Sequence, residues 1–255
     1  YFSEILRLLV KEEMVNDEVI GMLWRFVMNS SSHEDLSHED VKNAHGAMEV
    51  IQMMSISKPI VINNIENLKL LSEIVFGPAS QKRRDYVLVR HACAALDAVP
   101  SGKDKGPSEA VAHLISRIEE VIRGAWGFSP SQLDNKGWFS CAQQGLRVIF
   151  KHSYKPDRLC ERIVHQCARS IFASENNTSA SASELSRFFF LIGEIAVDLL
   201  LHTEELSVKA KKLRVKAQEV REERSQMATE GGSGNIGKEL GMQGSEEDAE
   251  MDLFE

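Results

Sequence analysis

The chain has 255 residues, with 7% aromatics and six prolines, a balance that suits helices better than a β-sandwich. Its length fits one or two ordinary domains, or roughly five to six repeats of about 40–47 residues. The formal charge is −8, but residues 227–255 alone contribute −7 through eight acids and one Lys, which leaves −1 for residues 1–226. A uniformly basic DNA-binding domain is therefore excluded, while local basic patches are not.

In chain order, the first strong signals start at Ser37. Ser37 with Asp40 offers a helix N-cap and a first-turn acid. Val41, Ala44, Met48 and Ile51 then follow the i, i+3, i+7, i+10 spacing of a helix stripe. Lys58-Pro59 allows a helix to begin with Pro in its first turn, and Gly77-Pro78 ends it. Residues Ile60 to Ile65 form the one strand-like run, but their place inside a helical pattern favours helix. Lys82, Arg83 and Arg84 form a short basic cluster.

Further stripes follow at Val89, Cys93, Leu96 and Val99, at Phe139, Ala142, Leu146 and Ile149, and at Cys160, Ile163, Val164, Cys167 and Ile171. Pro100 to Pro107 and Gly127 to Gly137 read as loops. The polar, low-complexity stretch Ser174 to Ser183 reads as a mobile connection. The four cysteines form no CxxC, and Cys160 and Cys167, seven apart, share a helix face as small core residues, which fits a reducing compartment.

Residues 187–202 are apolar except for Arg187, Glu194, Asp198 and His202, which fall on one narrow helical stripe. So apolar a helix reads as packed on several sides, with Phe189, Ile192, Ala196 and Leu199 buried and Gly193 close to another helix. It is too short and too charged to span a membrane. A basic segment follows with Lys209, Lys211, Lys212, Arg214 and Lys216, flanked by Glu204, Glu205, Glu219, Glu222 and Glu223. After Gln226 the chain turns Gly-, Ser- and acid-rich and reads as disordered.

Four sets of residues invite a chemical reading. Gly232 to Lys238 satisfies GxGxxG and most of a phosphate-binding GxxxxGK. It lacks the preceding strand, and Glu239 stands where a hydroxyl should meet magnesium, so it reads as a linker. His33, His38, Glu34, Glu39 and Asp40 cluster in sequence but sit in a loop and helix cap, not on a fixed ligand scaffold. Glu194 and Asp198 pair four apart without an accompanying nucleophile, so they read as a hydrated stripe or as partners of neighbouring Lys or Arg. Asn176 and Asn177 both head glycosylation sequons, which a nuclear or cytosolic protein would not use. No catalytic, cofactor or metal residue is assigned.

Two sets of residues carry a family resemblance. Asp85, Val89, Arg90 and Cys93 to Leu96 resemble the second helix of a HEAT repeat, with a weaker echo at Asp40, Val41, Lys42 and Ala44. The apolar helix with Phe190 to Gly193, the turn ending in His202 to Glu205, the Lys/Arg-rich helix and the acidic run Glu239 to Asp252 together resemble the HEAT-repeat regulatory subunits of condensin. The likeness implies an all-α fold, an α-solenoid of HEAT-like antiparallel helix pairs with a disordered acidic C-terminal tail. Stacking is required, since an isolated pair cannot bury its apolar face.

The expected segments are helical repeats over 1–174, a flexible loop over 175–183, a buried apolar helix followed by a basic helix over 184–226, and a disordered acidic tail over 227–255. The chain reads as a piece of a longer protein. By resemblance it is a non-enzymatic scaffold without cofactor, membrane or small-molecule substrate. The likeness implies that it binds the kleisin and SMC ATPase subunits and touches DNA or chromatin, in the nucleus and on mitotic chromosomes with a cytoplasmic pool.

The DNA candidates are Lys209, Lys211, Lys212, Arg214, Lys216, Lys82, Arg83 and Arg84, because phosphate backbones attract such patches without sequence readout. Residues 245–255 are expected to compete for the first cluster. The rivals are the HEAT subunit of the second condensin complex, and a nuclear transport receptor or phosphatase scaffold that binds protein and no DNA.

Overall fold

A computed structural model describes residues 1–30, 37–101, 109–124, 135–172 and 180–230. Among these residues every regular element is helical, and none is long and apolar enough to cross a membrane. The chain divides into two units, residues 1–202 and 203–255.

The first unit is a two-row stack of HEAT-like helix pairs. Helices α1 (Phe2–Lys11), α2 (Asp17–Asn29) and α3 (His38–Ser55) open it. The Ser37 hydroxyl accepts the Asp40 N–H at 3.1 Å, which starts α3 where the sequence places the cap. A 3-10 turn, Pro59–Val61, carries Pro at its first position. It leads into α4 (Ile65–Leu70), whose end widens into a π-turn over Leu71–Val75. The strand-like run thus splits between a 3-10 turn and a helix start.

Gly77-Pro78 ends that helix and at once begins α5 (Pro78–Arg83). A Cβ on Gly77 would lie 1.8 Å from the Glu73 carbonyl oxygen, so only glycine fits this junction. Then come α6 (Tyr86–Ala98), α7 (Glu109–Arg123), α8 (Asn135–His152), α9 (Pro156–Phe172) and α10 (Ala182–Glu230).

One row runs α3, α6, α8, each packed on the next, and the first turns of α10 pack on α8 through Phe139 with Phe190 and Gln143 with Glu194. The other row holds α2, α4 with its π-turn, α7 and α9. The expected stripes line the interface between rows: Ala44, Met48, Ile51, Val89, Cys93, Leu96, Ala142, Leu146 and Ile149 are buried, as are Cys160, Ile163, Cys167 and Ile171. Trp138 is the largest fully buried side chain, with its ring 5.5 Å from Phe139 and 6.3 Å from Phe190. A Cβ on Gly145 would lie 3.0 Å from Ile118 Cγ2, so glycine sets how closely α8 approaches α7.

Polar ties join helices distant in sequence. His45 Nε2 lies 2.7 Å from Asp85 Oδ1, joining α3 to the cap of α6. The Glu119 carboxylate of α7 is buried and held by the Arg162 guanidinium of α9, with Arg123 Nε at 3.5 Å. This hydrogen-bonded pairing also raises the Arg162 pKa.

The start of α10 corrects two expectations. Residues 182 and 183 are helical, not loop, and a reciprocal capping box starts the helix. Ser181 Oγ accepts the Glu184 N–H at 3.2 Å, and Glu184 Oε2 accepts the Ser181 N–H at 2.9 Å. Residues 173–179 of the expected loop lie outside the described residues.

The buried face is also different. Phe189 is 65% and Ile192 38% exposed, Ala196 is exposed and Leu199 only half-buried. Nothing lies within 4 Å of a Cβ on Gly193. Instead Arg187, Phe188, Leu191 and Ile195 are buried. The polar stripe of α10 therefore faces the protein, because α8 offers it polar partners. Past His202 the helix continues into the second unit, where residues 203–222 are exposed all round. Residues 231–255, with most of the acidic tail, lie outside the described residues.

Candidate functional site

The two basic clusters have different surroundings. In the first unit, Arg83 is half-buried and donates from Nη2 to the Ser30 carbonyl at 2.8 Å, which ties α5 to the end of α2. Arg84 is half-buried at the end of α5, with a left-handed φ of 58°. Lys82 is the exposed member of the three. Hydrogen-bonding residues over 50 positions apart is a tertiary event that local composition does not announce.

In the second unit Lys209, Lys211, Lys212, Arg214 and Lys216 all stand exposed on one helix. At about 100° per residue they do not share a face. Lys209, Lys212 and Lys216 line one side, while Lys211 and Arg214 point elsewhere. A duplex lying along this helix would meet only part of the cluster at a time. The two clusters belong to separate units.

The paired carboxylates of α10 turn inward. Glu194 Oε2 accepts a hydrogen bond from Gln143 Nε2 at 3.0 Å, across to α8. Burial pushes the Asp198 pKa up, Glu194 adds to the rise, and Arg147 opposes it. Asp198 Oδ2 is buried and accepts no hydrogen bond from a described residue. Arg187 is buried on the same stripe; burial lowers its pKa and Glu184 opposes that. The arrangement seats α10 and provides no nucleophile.

A shallow cleft of about 280 Å³ crosses the row of α3, α6 and α8, between Glu49, Gln52, Arg90, His91 and Gln144. His91 Nδ1 lies 2.7 Å from Gln52 Oε1, and Arg90 Nη2 lies 2.9 Å from His91 Nε2. Burial lowers the His91 pKa, with Arg90 adding to the effect, so a neutral imidazole donates to Gln52 and accepts from Arg90. The amides and the Glu49–Arg90 charges suit a polypeptide ligand more than a reaction. Sequence reading missed the cleft. Its only signal is that Gln52, Arg90 and Gln144 are polar on helices whose other faces are buried.

Among the described residues no group of three His, Cys, Asp or Glu is placed to hold a metal. His38, Glu39 and Asp40 form the first turn of α3, while His33 and Glu34 lie outside the described residues. Gly232 to Lys238 and residues 245–255 also lie outside them.

Comparison with known proteins adds what geometry does not. Condensin complex subunit 1 of Saccharomyces cerevisiae is 19% identical over 236 residues, covering 85% of this chain and 20% of that protein. Condensin complex subunit 1 of Schizosaccharomyces pombe is 22% identical over 246 residues, again 85% and 20%. The chain is thus similar to condensin complex subunit 1 of both yeasts along most of its length. The condensin-1 complex subunit CAP-D2 of Arabidopsis thaliana extends the likeness to 98% of the chain, at 22% identity. The condensin likeness thus reaches well upstream of the segment from 184 to 252 that carries it by motif. The chain spans about a fifth of the length of these curated relatives. No family model matches it.

Proposed function

We propose that the chain serves as a non-enzymatic helical scaffold within a condensin complex, bound to the kleisin and SMC ATPase subunits and acting on chromosomes in the nucleus, with a cytoplasmic pool. The supporting observation is the similarity to condensin complex subunit 1 along 85% or more of the chain. A stack of helix pairs with exposed ends and a polar cleft suits a scaffold, since stacked repeats present long binding surfaces. The test is affinity purification of the tagged protein from mitotic cells. Recovery of SMC and kleisin subunits is expected. Recovery of a small GTPase or a phosphatase catalytic subunit in their place overturns the reading.

DNA contact is part of the proposal. Lys209, Lys211, Lys212, Arg214 and Lys216 supply its main phosphate-binding surface. Lys82, Arg83 and Arg84 add a lesser one, with Arg83 also donating to the Ser30 carbonyl. Duplex binding should weaken steeply with salt. Charge reversal at Lys211 and Lys212 should reduce it, and truncation after residue 226 should strengthen it at low salt, because the acidic tail competes. Unchanged binding in both variants removes this helix from the DNA assignment.

A further inference from the structure

The exposed part of α10 carries an apolar seam in heptad register. Leu206, Leu213 and Val220 recur every seven residues, with Ala210 and Ala217 four residues after the first two. At about 100° per residue these five side chains fall within a quarter-turn of one another. All are exposed; Leu206 is 51%, Leu213 62% and Val220 48% accessible. Val208 and Val215 lie about half a turn away and do not belong to the seam.

Cations border the seam on both sides. In a heptad with Leu206, Leu213 and Val220 at d and the alanines at a, Lys209 and Lys216 take the g positions, and Ser207, Arg214 and Arg221 the e positions. These are the places that select a coiled-coil partner. Glu204, Glu219 and Glu222 lie toward the opposite side of the helix.

We infer that residues 206–221 form a docking helix for an amphipathic partner helix that packs leucines against this seam and brings acidic residues to its two borders. Three observations select that occupant. The seam has the period of helix-on-helix packing. Its alanine layers permit close approach by large side chains of the partner. Four of its five border positions are basic and the fifth, Ser207, is neutral, so the complementary borders are acidic.

A second copy of the chain is disfavoured, because it would set these four cations against the same four. Duplex DNA, proposed above to use Lys209, Arg214 and Lys216, would compete with this partner for those cations but leave the leucines in water. The inference does not depend on the condensin reading, since it rests on the register and exposure of this helix alone.

The test uses the whole 255-residue protein and two synthetic helical peptides of about 21 residues, three heptads each. Both carry Leu at a and d; one has Glu at e and g, the other Lys. Fluorescence anisotropy should show the Glu peptide binding at least about tenfold more tightly than the Lys peptide. Leu213→Asp should weaken the Glu peptide by at least about tenfold, with circular dichroism confirming that the helix remains. Reversing Lys209, Arg214, Lys216 and Arg221 to Glu should switch the preference to the Lys peptide, an effect a merely structural role would not produce.

Equal binding of the two peptides, or indifference to Leu213→Asp, overturns the inference. So does self-association abolished by Leu213→Asp, which makes the occupant a second copy. Binding of duplex DNA but of neither peptide assigns the face to phosphate instead. Failure to recover condensin subunits from cells would bear on the proposed function and leave this result untouched.

Discussion

In residues 1–202 a stripe such as Ala44, Met48 and Ile51 is fully buried, whereas Leu206, Leu213 and Val220, spaced as regularly, stand in solvent. Both sets obey a helical period, and each includes one β-branched residue, Ile51 and Val220, among stronger helix formers. The difference is in what surrounds them. Each of the first three meets side chains from a neighbouring helix. Periodicity shows that a helix has an apolar face; only the rest of the fold decides whether that face is covered.

The sharpest way to test this contrast is to truncate one side chain in each region. Trp138→Ala should cost about 3–5 kcal/mol in a urea unfolding experiment, because it empties the space under Phe139 and Phe190. Leu213→Ala, at a largely exposed position, should stay within about half a kilocalorie. Similar losses for the two would mean that the second region is also packed.

Buried polar ties allow a second test. Glu119→Ala removes the carboxylate shared by Arg162 and Arg123, and about 2 kcal/mol should be lost, moderated because Arg162 is partly in water. The exposed pair Arg158 and Glu161 should show almost no coupling in a double-mutant cycle.

Two glycines within the first unit give a contrast of sign. Gly145→Ala drives a methyl against Ile118 and Ile122 and should destabilise by about 1–3 kcal/mol if the neighbours cannot yield. Gly193→Ala meets open space in the middle of a helix and should stabilise by up to about 1 kcal/mol. Thermal melts of the two variants should move in opposite directions.

The smallest effect is a pH dependence. Asp198 has a folded pKa raised by burial and by Glu194. The folded state therefore holds its proton at pH values where the unfolded chain, near the usual value of about 3.9, has lost it. Stability from this group is present at low pH and is lost as pH rises through the folded pKa. Asp198→Asn should flatten that decline and leave the protein slightly more stable at neutral pH. Urea midpoints across the acidic range, compared between the two proteins, check the sign.

Much of the first region was legible in advance. The Ser37 cap and the stripes at Met48, Cys93, Leu146 and Cys167 all follow from local chemistry, whereas Pro59 opens only a 3-10 turn and the α-helix starts at Ile65 behind the Asn64 cap. What sequence could not supply was direction. In α10 the polar stripe looked like the wet side, yet Gln143 and neighbouring groups on α8 make it the covered one, and Phe189 and Ile192 turn outward. Likewise three consecutive cations at 82–84 looked equivalent, until the Ser30 carbonyl engaged the middle one. The seam at 206–220 was overlooked because the lysines between its members drew the reading toward phosphate.

The four cysteines sit in three helices, Cys93 in α6, Cys141 in α8, Cys160 and Cys167 in α9, and all are buried. Burial pushes the Cys141 and Cys160 thiols up to about 12 and Cys93 well above its ordinary value. At neutral pH such thiols are protonated and out of reach of reagents. Maleimide labelling of the native protein thus becomes a clock for the opening of each helix. A single cysteine introduced at Ser207 would label at once, which gives a silent background for following any partner that arrives on the outer helix.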